Sequence, residues 1–372
     1  MCGISGVFRI SSTEPVSRAV IEAMTRTMVH RGPDDSGYAL YDRAALGFRR
    51  LSIIDLSTGN QPILNEDGTL CLVCNGEIFN YPELRDELLA KGHRFRTRTD
   101  VEVLLHLYEE MGERMLDRLN GQFAFALYDR TRERLFLARD HFGVVPLFHA
   151  SVGGSFVFAS EIKAILEYPG LERRVDLTGL DQIMSLPGLV SPRTMFEGVK
   201  SLPAGHCMTV DRRGVRCEPY WDLIYPPADE PAEVRSEESW REECEHRLTQ
   251  AVKRRLHADV PVGAYLSGGL DSSLIAALMR ESGAGPIESF SIAFTKELLD
   301  ERKYQRLMAE RLECRHHEID LGIGGIESRL RSVVRHCECP LKESYDTASL
   351  ALSHKDAKVT NYVYFDIEQG EK

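Results

Sequence analysis

The chain has little that would place it in a membrane or on a nucleic acid. None of its apolar runs approaches the roughly 18 residues that a membrane helix needs. Positive charge is also scarce: 46 Lys and Arg stand against 57 Asp and Glu, a formal net charge of −11. This excludes a general binding field for phosphate backbones or anionic lipid. Basic runs such as Arg49-Arg50 and Lys253-Arg254-Arg255 are short local features. No internal repeat or low-complexity segment is present. Polar residues follow Met1-Cys2-Gly3 almost at once, so no signal-peptide core is expected. The nine cysteines are an odd number with no framework spacing, which leads to an expectation of reduced thiols in a cytoplasm. The expected partners are therefore small molecules, with neither nucleic acid nor membrane; a homodimer is left open.

Cysteine pairs offer little to a metal. Cys71-Leu-Val-Cys74 lies in an apolar run that reads as a strand. Positions three apart on a strand face opposite sides, so these thiols should not share an ion. His336-Cys337-Glu-Cys339 has no second cysteine pair to complete a four-ligand site. Buried thiols are the plainer reading.

What is present is an ordinary globular balance, 43% hydrophobic and 28% charged, over 372 residues. That length suits about two or three domains. Strand-like composition covers 2–10, 45–54, 70–75, 123–128, 134–138 and 155–159. Helical periodicity covers 16–29, 82–90 and 101–111, with Pro82 at a first turn and Lys91-Gly92 as a stop. Many strands with few helices predict two sheets with helices packed outside. Prolines 226, 227 and 231 among acidic residues read as a linker, placing one domain at 2–210, a linker at 211–237 and a second domain at 238–372. A helix over 238–258 carries Trp240, Cys244, Leu248 and Val252 on one stripe. Strands 260–266, 288–294 and 315–320 then alternate with helices 272–281 and 301–312, which predicts a parallel α/β sheet.

Cys2 carries a complete chemistry in one residue. Its small side chain should allow Met1 to be removed, freeing an α-amine beside the thiol. The amine titrates near 7.7–8.0 and the thiol near 8.5, so at neutral pH the amine can accept the thiol proton, directly or through water. The thiolate can then attack an amide carbonyl and release ammonia. A second-position cysteine alone is no more than an accident of sequence; its company gives it weight. Cys2-Gly-Ile-Ser-Gly-Val-Phe, His30-Arg31-Gly32-Pro33-Asp34, Arg50-Leu51-Ser52-Ile53-Ile54-Asp55, Asn75-Gly76-Glu77 and Thr99-Asp100 follow in that order.

With this series the sequence resembles the class II glutamine amidotransferases, and most of all the glutamine-hydrolysing asparagine synthetases. The resemblance implies an α+β four-layer α/β/β/α sandwich of the N-terminal nucleophile hydrolase type. It implies Cys2, Asn75 and Gly76 as catalytic residues, with the Asn75 side-chain nitrogen and the Gly76 N–H holding an oxyanion. It implies a glutamine site formed by Arg50, Leu51, Ser52, Ile53, Ile54, Asn75, Gly76, Glu77 and Asp100. Arg50 suits the substrate carboxylate as a fork, while Glu77 and Asp100 suit its ammonium. Asn75-Gly76 also fits a hairpin turn, a reading compatible with the catalytic one. Asp140-His141-Phe142-Gly143 and Pro146-Leu147 also look like the family, and are expected to shape the domain rather than its chemistry.

The stretch Leu266-Ser-Gly-Gly-Leu-Asp-Ser-Ser273 follows a strand and opens a helix but lacks the lysine of a Walker A loop. It resembles the pyrophosphate loop of ATP pyrophosphatases, implying an α/β parallel-sheet domain of that type, incomplete here. ATP and Mg²⁺ are the implied cofactors. The implied ATP site is Leu266, Ser267, Gly268, Gly269, Leu270, Asp271, Ser272, Ser273 and, from the next strand, Ile292. Gly268 and Gly269 let backbone approach phosphate at a helix N-terminus. Asp271 would meet phosphate through Mg²⁺. The family usually has glycine where Ala293 stands. A second loop like Ser-Gly-Glu-Gly-x-Asp-Glu, expected near the acceptor carboxylate, is not found. After Pro340 the sequence reads as a poor fit to the family. Three readings follow: an ATP-dependent amide synthetase acting on aspartate or another carboxylate, a glutaminase-type hydrolase with a vestigial ATP domain, and a non-catalytic binding protein. The first is preferred because the loop keeps every polar residue. The chain as written is expected to hydrolyse glutamine and make little amide, unless 345–372 supplies an acid such as Asp346, Asp356 or Asp366.

Overall fold

The computed structural model describes residues 1–340 except 13, 230–233, 284, 286, 295–299 and 322. Asp346, Asp356 and Asp366, the rest of 345–372, and Pro231 of the expected linker lie outside the described residues. The chain divides into two compact units, the first Met1–Asp222 and the second from 223 onward.

The strands of the first unit are β1 (Gly3–Arg9), β2 (Asp35–Leu40), β3 (Ala44–Arg50), β4 (Ile63–Leu64), β5 (Leu70–Ile78), β6 (Gly121–Asp129), β7 (Arg134–Arg139), β8 (Phe148–Val152), β9 (Ser155–Ala159), β10 (Val199–Ser201), β11 (His206–Asp211) and β12 (Gly214–Pro219). They form two six-stranded sheets, ordered β10-β8-β9-β1-β3-β2 and β12-β11-β7-β6-β5-β4. The helices are α1 (Arg18–Arg26), α2 (Tyr81–Ala90), α3 (Val103–Met111), α4 (Ile162–Ile165) and α5 (Leu177–Ser185).

Strand periodicity builds the layers. In β1, Ile4 and Phe8 point between the sheets, where they meet Phe48, Val73 and Phe158. Val7, on the opposite face, packs under Ile21 and Met24 of α1. Beyond the second sheet, Leu72 and Phe125 pack on Leu84 and Leu88 of α2 and Leu104 of α3. The result is helix, sheet, sheet, helix, the expected four-layer α/β/β/α sandwich. Cys71 and Cys74 fall in different cores, one on each face of β5, as period-two alternation requires.

Tertiary pairing moved several boundaries. β3 ends at Arg50 rather than 54, because the chain turns away and Asp55 takes φ +54°. β5 runs straight through Asn75-Gly76, paired with Ala124 and Phe123, so no hairpin turn forms there. The start of the expected linker is strand: β11 and β12 form a hairpin with Val210 opposite Val215, and the Asp211 carboxylate accepts the Arg213 N–H at 2.7 Å.

In the second unit, α6 (Glu237–Arg254) starts at Ser236, whose side chain accepts the Ser239 N–H. Only part of its expected stripe is buried: Val252 is, while Trp240 and Cys244 are exposed. The Arg235 guanidinium covers the Trp240 ring at 4.3 Å. Next come β13 (Gly263–Tyr265), α7 (Leu270–Glu281), β14 (Glu288–Phe294), α8 (Arg302–Arg311), β15 (Arg315–Leu321) and α9 (Ile323–Cys337). The three strands form a parallel sheet in sequence order, as the alternation predicted.

Candidate active site

Cys2 immediately precedes β1, a central strand of its sheet, so its position is fixed from both sides. β1 pairs with β3 (Gly3 opposite Arg49), and Ser160 returns the Ile4 contact through its N–H and hydroxyl. The Cys2 carbonyl accepts the Arg31 Nε–H at 2.8 Å. Arg31 is in turn held by Glu161 at 3.2 Å, and the same carboxylate takes His30 at 2.9 Å and Lys163 at 2.6 Å. Burial alone would raise Glu161; His30, Arg31 and Lys163 outweigh it and hold the carboxyl well below the usual range. Gly32 is required here, since a Cβ would lie 2.4 Å from the Arg49 carbonyl carbon.

The Cys2 sulfur faces the turn after β3. The Leu51 N–H points at Sγ at 3.4 Å. Cys2 is partly exposed as a residue, yet its sulfur is packed closely enough that burial pushes the thiol up. That rise is opposed by the α-amine, the Leu51 N–H, Arg31 and Arg50. The Met1 α-amine is pushed from 8.0 down to about 6 by burial. The Met1 amine is therefore largely neutral at neutral pH, beside a protonated thiol.

Asn75 sits within β5 and is fully buried, and neither its amide nitrogen nor its amide oxygen has a hydrogen-bond partner. A buried unsatisfied amide costs about 1–3 kcal/mol, and a fold seldom retains one without a use. Gly76 has φ +149°, and a Cβ there would lie 2.2 Å from the Gln122 carbonyl oxygen. Beside Asn75, the Gln61 amide closes on the Cys74 backbone, accepting its N–H at 2.6 Å and donating to its carbonyl at 3.1 Å.

Asp100 is buried and accepts the Ile78 N–H at 2.8 Å. Burial pushes its carboxyl from 3.8 up to about 6. Its loop is tied down on both sides: Glu102 accepts the Arg96 and Thr97 N–H groups, and Asp55 accepts the Arg98 N–H. The Cys74 thiol is driven well up by burial, and Asp100 and Cys2 raise it further. Glu77 is buried on the same strand.

Arg50 is engaged rather than open. Its guanidinium donates to the Ile54, Asp55 and Leu56 carbonyls and so braces the turn formed by Leu51, Ser52, Ile53 and Ile54. Ser52 N–H is fixed by Asp34 at 2.8 Å. Asp140 accepts N–H groups from Phe123, Phe142, Val144 and Val145, the shaping role expected of its motif. Sequence reasoning missed Glu161 and Gln61. Glu161 lies 130 positions from Arg31, so no local signal marks it.

In the second unit, Leu266 is buried at the end of β13, with Ser267, Gly268 and Gly269 forming the turn into α7. Gly268 takes φ +91°. The loop is closed by its serines: Ser272 Oγ meets Ser267 Oγ at 2.9 Å, and Ser273 donates to the Gly269 carbonyl at 2.7 Å. Leu270 and Asp271 are exposed on the first turn. Gln305, missed in the sequence, donates to both the Ser267 and Ile292 carbonyls and so ties together the carboxyl ends of β13 and β14. That edge of a parallel sheet is where α/β folds bind ligands.

A cysteine opening a central strand of a four-layer α/β/β/α sandwich defines a domain of the N-terminal nucleophile type. The chain belongs to the glutamine amidotransferase domain family, whose model matches residues 1–221. Residues 243–361 match the asparagine synthase model, so the likeness runs past Pro340, where the sequence had read as departing from the family. The chain is 39% identical over 306 residues to the glutamine-hydrolysing asparagine synthetase 3 of Bacillus subtilis, a match covering 79% of this chain and 48% of that protein. It is 36% identical over 381 residues to amidase chyE of Penicillium rubens, covering 95% of this chain and 56% of that protein. The chain thus spans about half the length of the curated relatives it matches. A solved glutamine phosphoribosylpyrophosphate amidotransferase from B. subtilis covers 86% of this chain and 81% of its own, at 16% identity and a TM-score of 0.45.

Proposed function

We propose that this protein is a glutamine-dependent amidotransferase that frees ammonia at Cys2 and delivers it to a carboxylate activated by ATP. The observation that carries the reading is the buried, unpartnered amide of Asn75 on a strand beside a fixed cysteine. With Met1 removed, the Cys2 α-amine accepts the thiol proton. The thiolate attacks the glutamine side-chain carbonyl, and the Asn75 amide and Gly76 N–H receive the oxyanion. The α-ammonium returns the proton to the leaving nitrogen, so collapse expels ammonia and leaves a thioester; water, deprotonated by the amine, then adds to the thioester and releases glutamate and the Cys2 thiol. Asp100 and Glu77 take the substrate ammonium; Arg50, by holding the 51–56 turn, presents the surface that takes its carboxylate.

In the second unit, Ser267 to Ser273 receive the ATP phosphates, Leu266 and Ile292 flank the adenosine, and the exposed Asp271 is the carboxylate available for Mg²⁺. The ion would neutralise charge between phosphates. The acceptor is aspartate or another small carboxylate. No described helix is long and apolar enough to cross a membrane; a cytoplasmic enzyme with reduced thiols is the setting that suits Cys2.

The test supplies glutamine, Mg-ATP and a panel of carboxylates, and follows glutamate, AMP and amide separately. Wild-type protein should release glutamate. Cys2→Ala should release none, while free ammonia should restore whatever amide synthesis the protein performs. Glutamate release by Cys2→Ala at the wild-type rate would overturn the assignment of the nucleophile.

A further inference from the structure

Outside the Cys2 site, a second constellation joins three separate segments. Glu66 comes from the turn between β4 and β5, His93 from the loop after α2, and His106 and Glu109 from one face of α3. One ligand atom from each lies within 4.8 Å of all the others. We propose that Glu66, His93, His106 and Glu109 form a binding site for a divalent transition-metal ion of the zinc class.

The distances carry the proposal. His106 Nδ1 is 3.1 Å from Glu109 Oε2 and 3.5 Å from Glu66 Oε2. His93 Nδ1 is 3.5 Å from Glu109 Oε2 and 3.8 Å from Glu66 Oε1. Zinc bonds of about 2.0–2.1 Å to nitrogen and oxygen give a tetrahedron with edges of about 3.3–3.5 Å. Four of the six edges are given by these distances and bracket that value; because they use both Glu66 oxygens, the Glu66 carboxylate must turn to present one of them to a central ion.

The surroundings are those of ligands rather than of chance neighbours. Both imidazoles turn Nδ1 toward the centre. His93 Nε2 meets Glu110 at 3.2 Å, whereas His106 Nε2, 3.8 Å from Glu102, is buried with no hydrogen-bond partner. At His93, a carboxylate behind the distal nitrogen is how metal-binding histidines are oriented and made more basic. The acids are fixed too: Asn65 donates to Glu109 Oε1 at 2.7 Å and the Arg94 N–H to Glu66 Oε1 at 2.9 Å. His106 is fully buried, so its ring cannot swing out to water. Two imidazoles favour zinc, cobalt or nickel over magnesium or calcium, which prefer all-oxygen shells.

Without an ion, the His106 Nδ1–Glu109 and His93 Nε2–Glu110 contacts are ordinary hydrogen bonds, and metal loading separates the two cases. The 372-residue chain is stripped with chelator and titrated with Co²⁺. Wild type should take up about one equivalent more than His93→Asn or Glu109→Gln, since each variant removes one of four ligands. The wild-type-minus-variant spectrum should show ligand-field bands of four-coordinate Co²⁺ and no thiolate charge-transfer band, which sets this site apart from the nine cysteines. Zn²⁺ should bleach those bands and raise the wild-type Tm by several degrees while leaving both variants unmoved. Glutamine hydrolysis within about twofold of wild type serves as the folding control. Equal Co²⁺ uptake and equal spectra in wild type and variants, or no uptake by wild type, would overturn the proposal.

Discussion

At the scale of single residues, two side chains are kept in states that a fold would otherwise avoid. Asn75 has a buried amide with no partner, so its removal should cost chemistry and spare stability. We expect Asn75→Ala to lower kcat for glutamine hydrolysis by about 10²–10³, the usual cost of one oxyanion donor. Its Tm should stay near the wild-type value, because the unsatisfied atoms leave with the side chain. A lost Tm with unchanged kcat would make Asn75 a packing residue. Asp100 is a buried carboxyl raised from 3.8 to about 6. Here the folded state binds a proton that the unfolded chain has already lost. Its contribution to stability is therefore fully present below about pH 4 and lost as pH rises through about 6. Binding runs the other way, since only the ionised carboxylate attracts the substrate ammonium. KM for glutamine should rise as pH falls below about 6, and Asp100→Asn should raise KM at neutral pH and abolish that pH limb. Steady-state kinetics from pH 5 to pH 8 decides it, and a flat KM in the wild type would refute the role (the pH range follows from the carboxyl's shift).

At the scale of elements, the pairing of β5 with β6 places the site. Gly76 lies opposite Phe123 in that ladder, with φ +149° and the Gln122 carbonyl crowding the space a side chain would need. Gly76→Ala should therefore destabilise the protein by more than about 1 kcal/mol, because the backbone strain and the contact add. Chemical denaturation would show it as a lowered midpoint with an unchanged slope. A midpoint equal to wild type would mean that β5 relaxes freely at this point. The dipeptide Asn75-Gly76 reads locally as a turn, and only the partner strand makes it continuous strand. Likewise the run after Arg50 has strand-like composition, yet the Arg50 guanidinium gathers the 54–56 carbonyls into a turn and leaves the Leu51 N–H facing Cys2.

At the scale of the whole molecule, the first unit holds its own three cores: between the sheets and beneath the helices on either side. All the residues assigned to glutamine hydrolysis lie within Met1–Asp222. Residues 1–222 expressed alone should unfold cooperatively and hydrolyse glutamine at a rate comparable to the full chain. Calorimetry and glutamate release check this, and a molten or inactive fragment would show that the second unit is needed for the first to fold.

The sequence by itself determined whatever is carried by near neighbours. Cys2 gains its weight from the ordered motifs that follow it, all legible along the chain. Period-two alternation put Cys71 and Cys74 on opposite faces, and the alternation of strands and helices over 260–320 announced the parallel sheet. Only the tertiary structure decided what depends on distant partners. Glu161 reaches Arg31 across 130 positions, Gln61 closes on Cys74, Gln305 bridges two strand ends, and three segments bring together Glu66, His93, His106 and Glu109. β2 (DSGYAL) and the β11–β12 hairpin escaped notice because their own composition is weakly strand-like; the neighbouring strands supply the hydrogen bonds that fix them. Periodicity records which face of an element is buried. It holds no record of which other element does the burying, and that choice is what assembles a site.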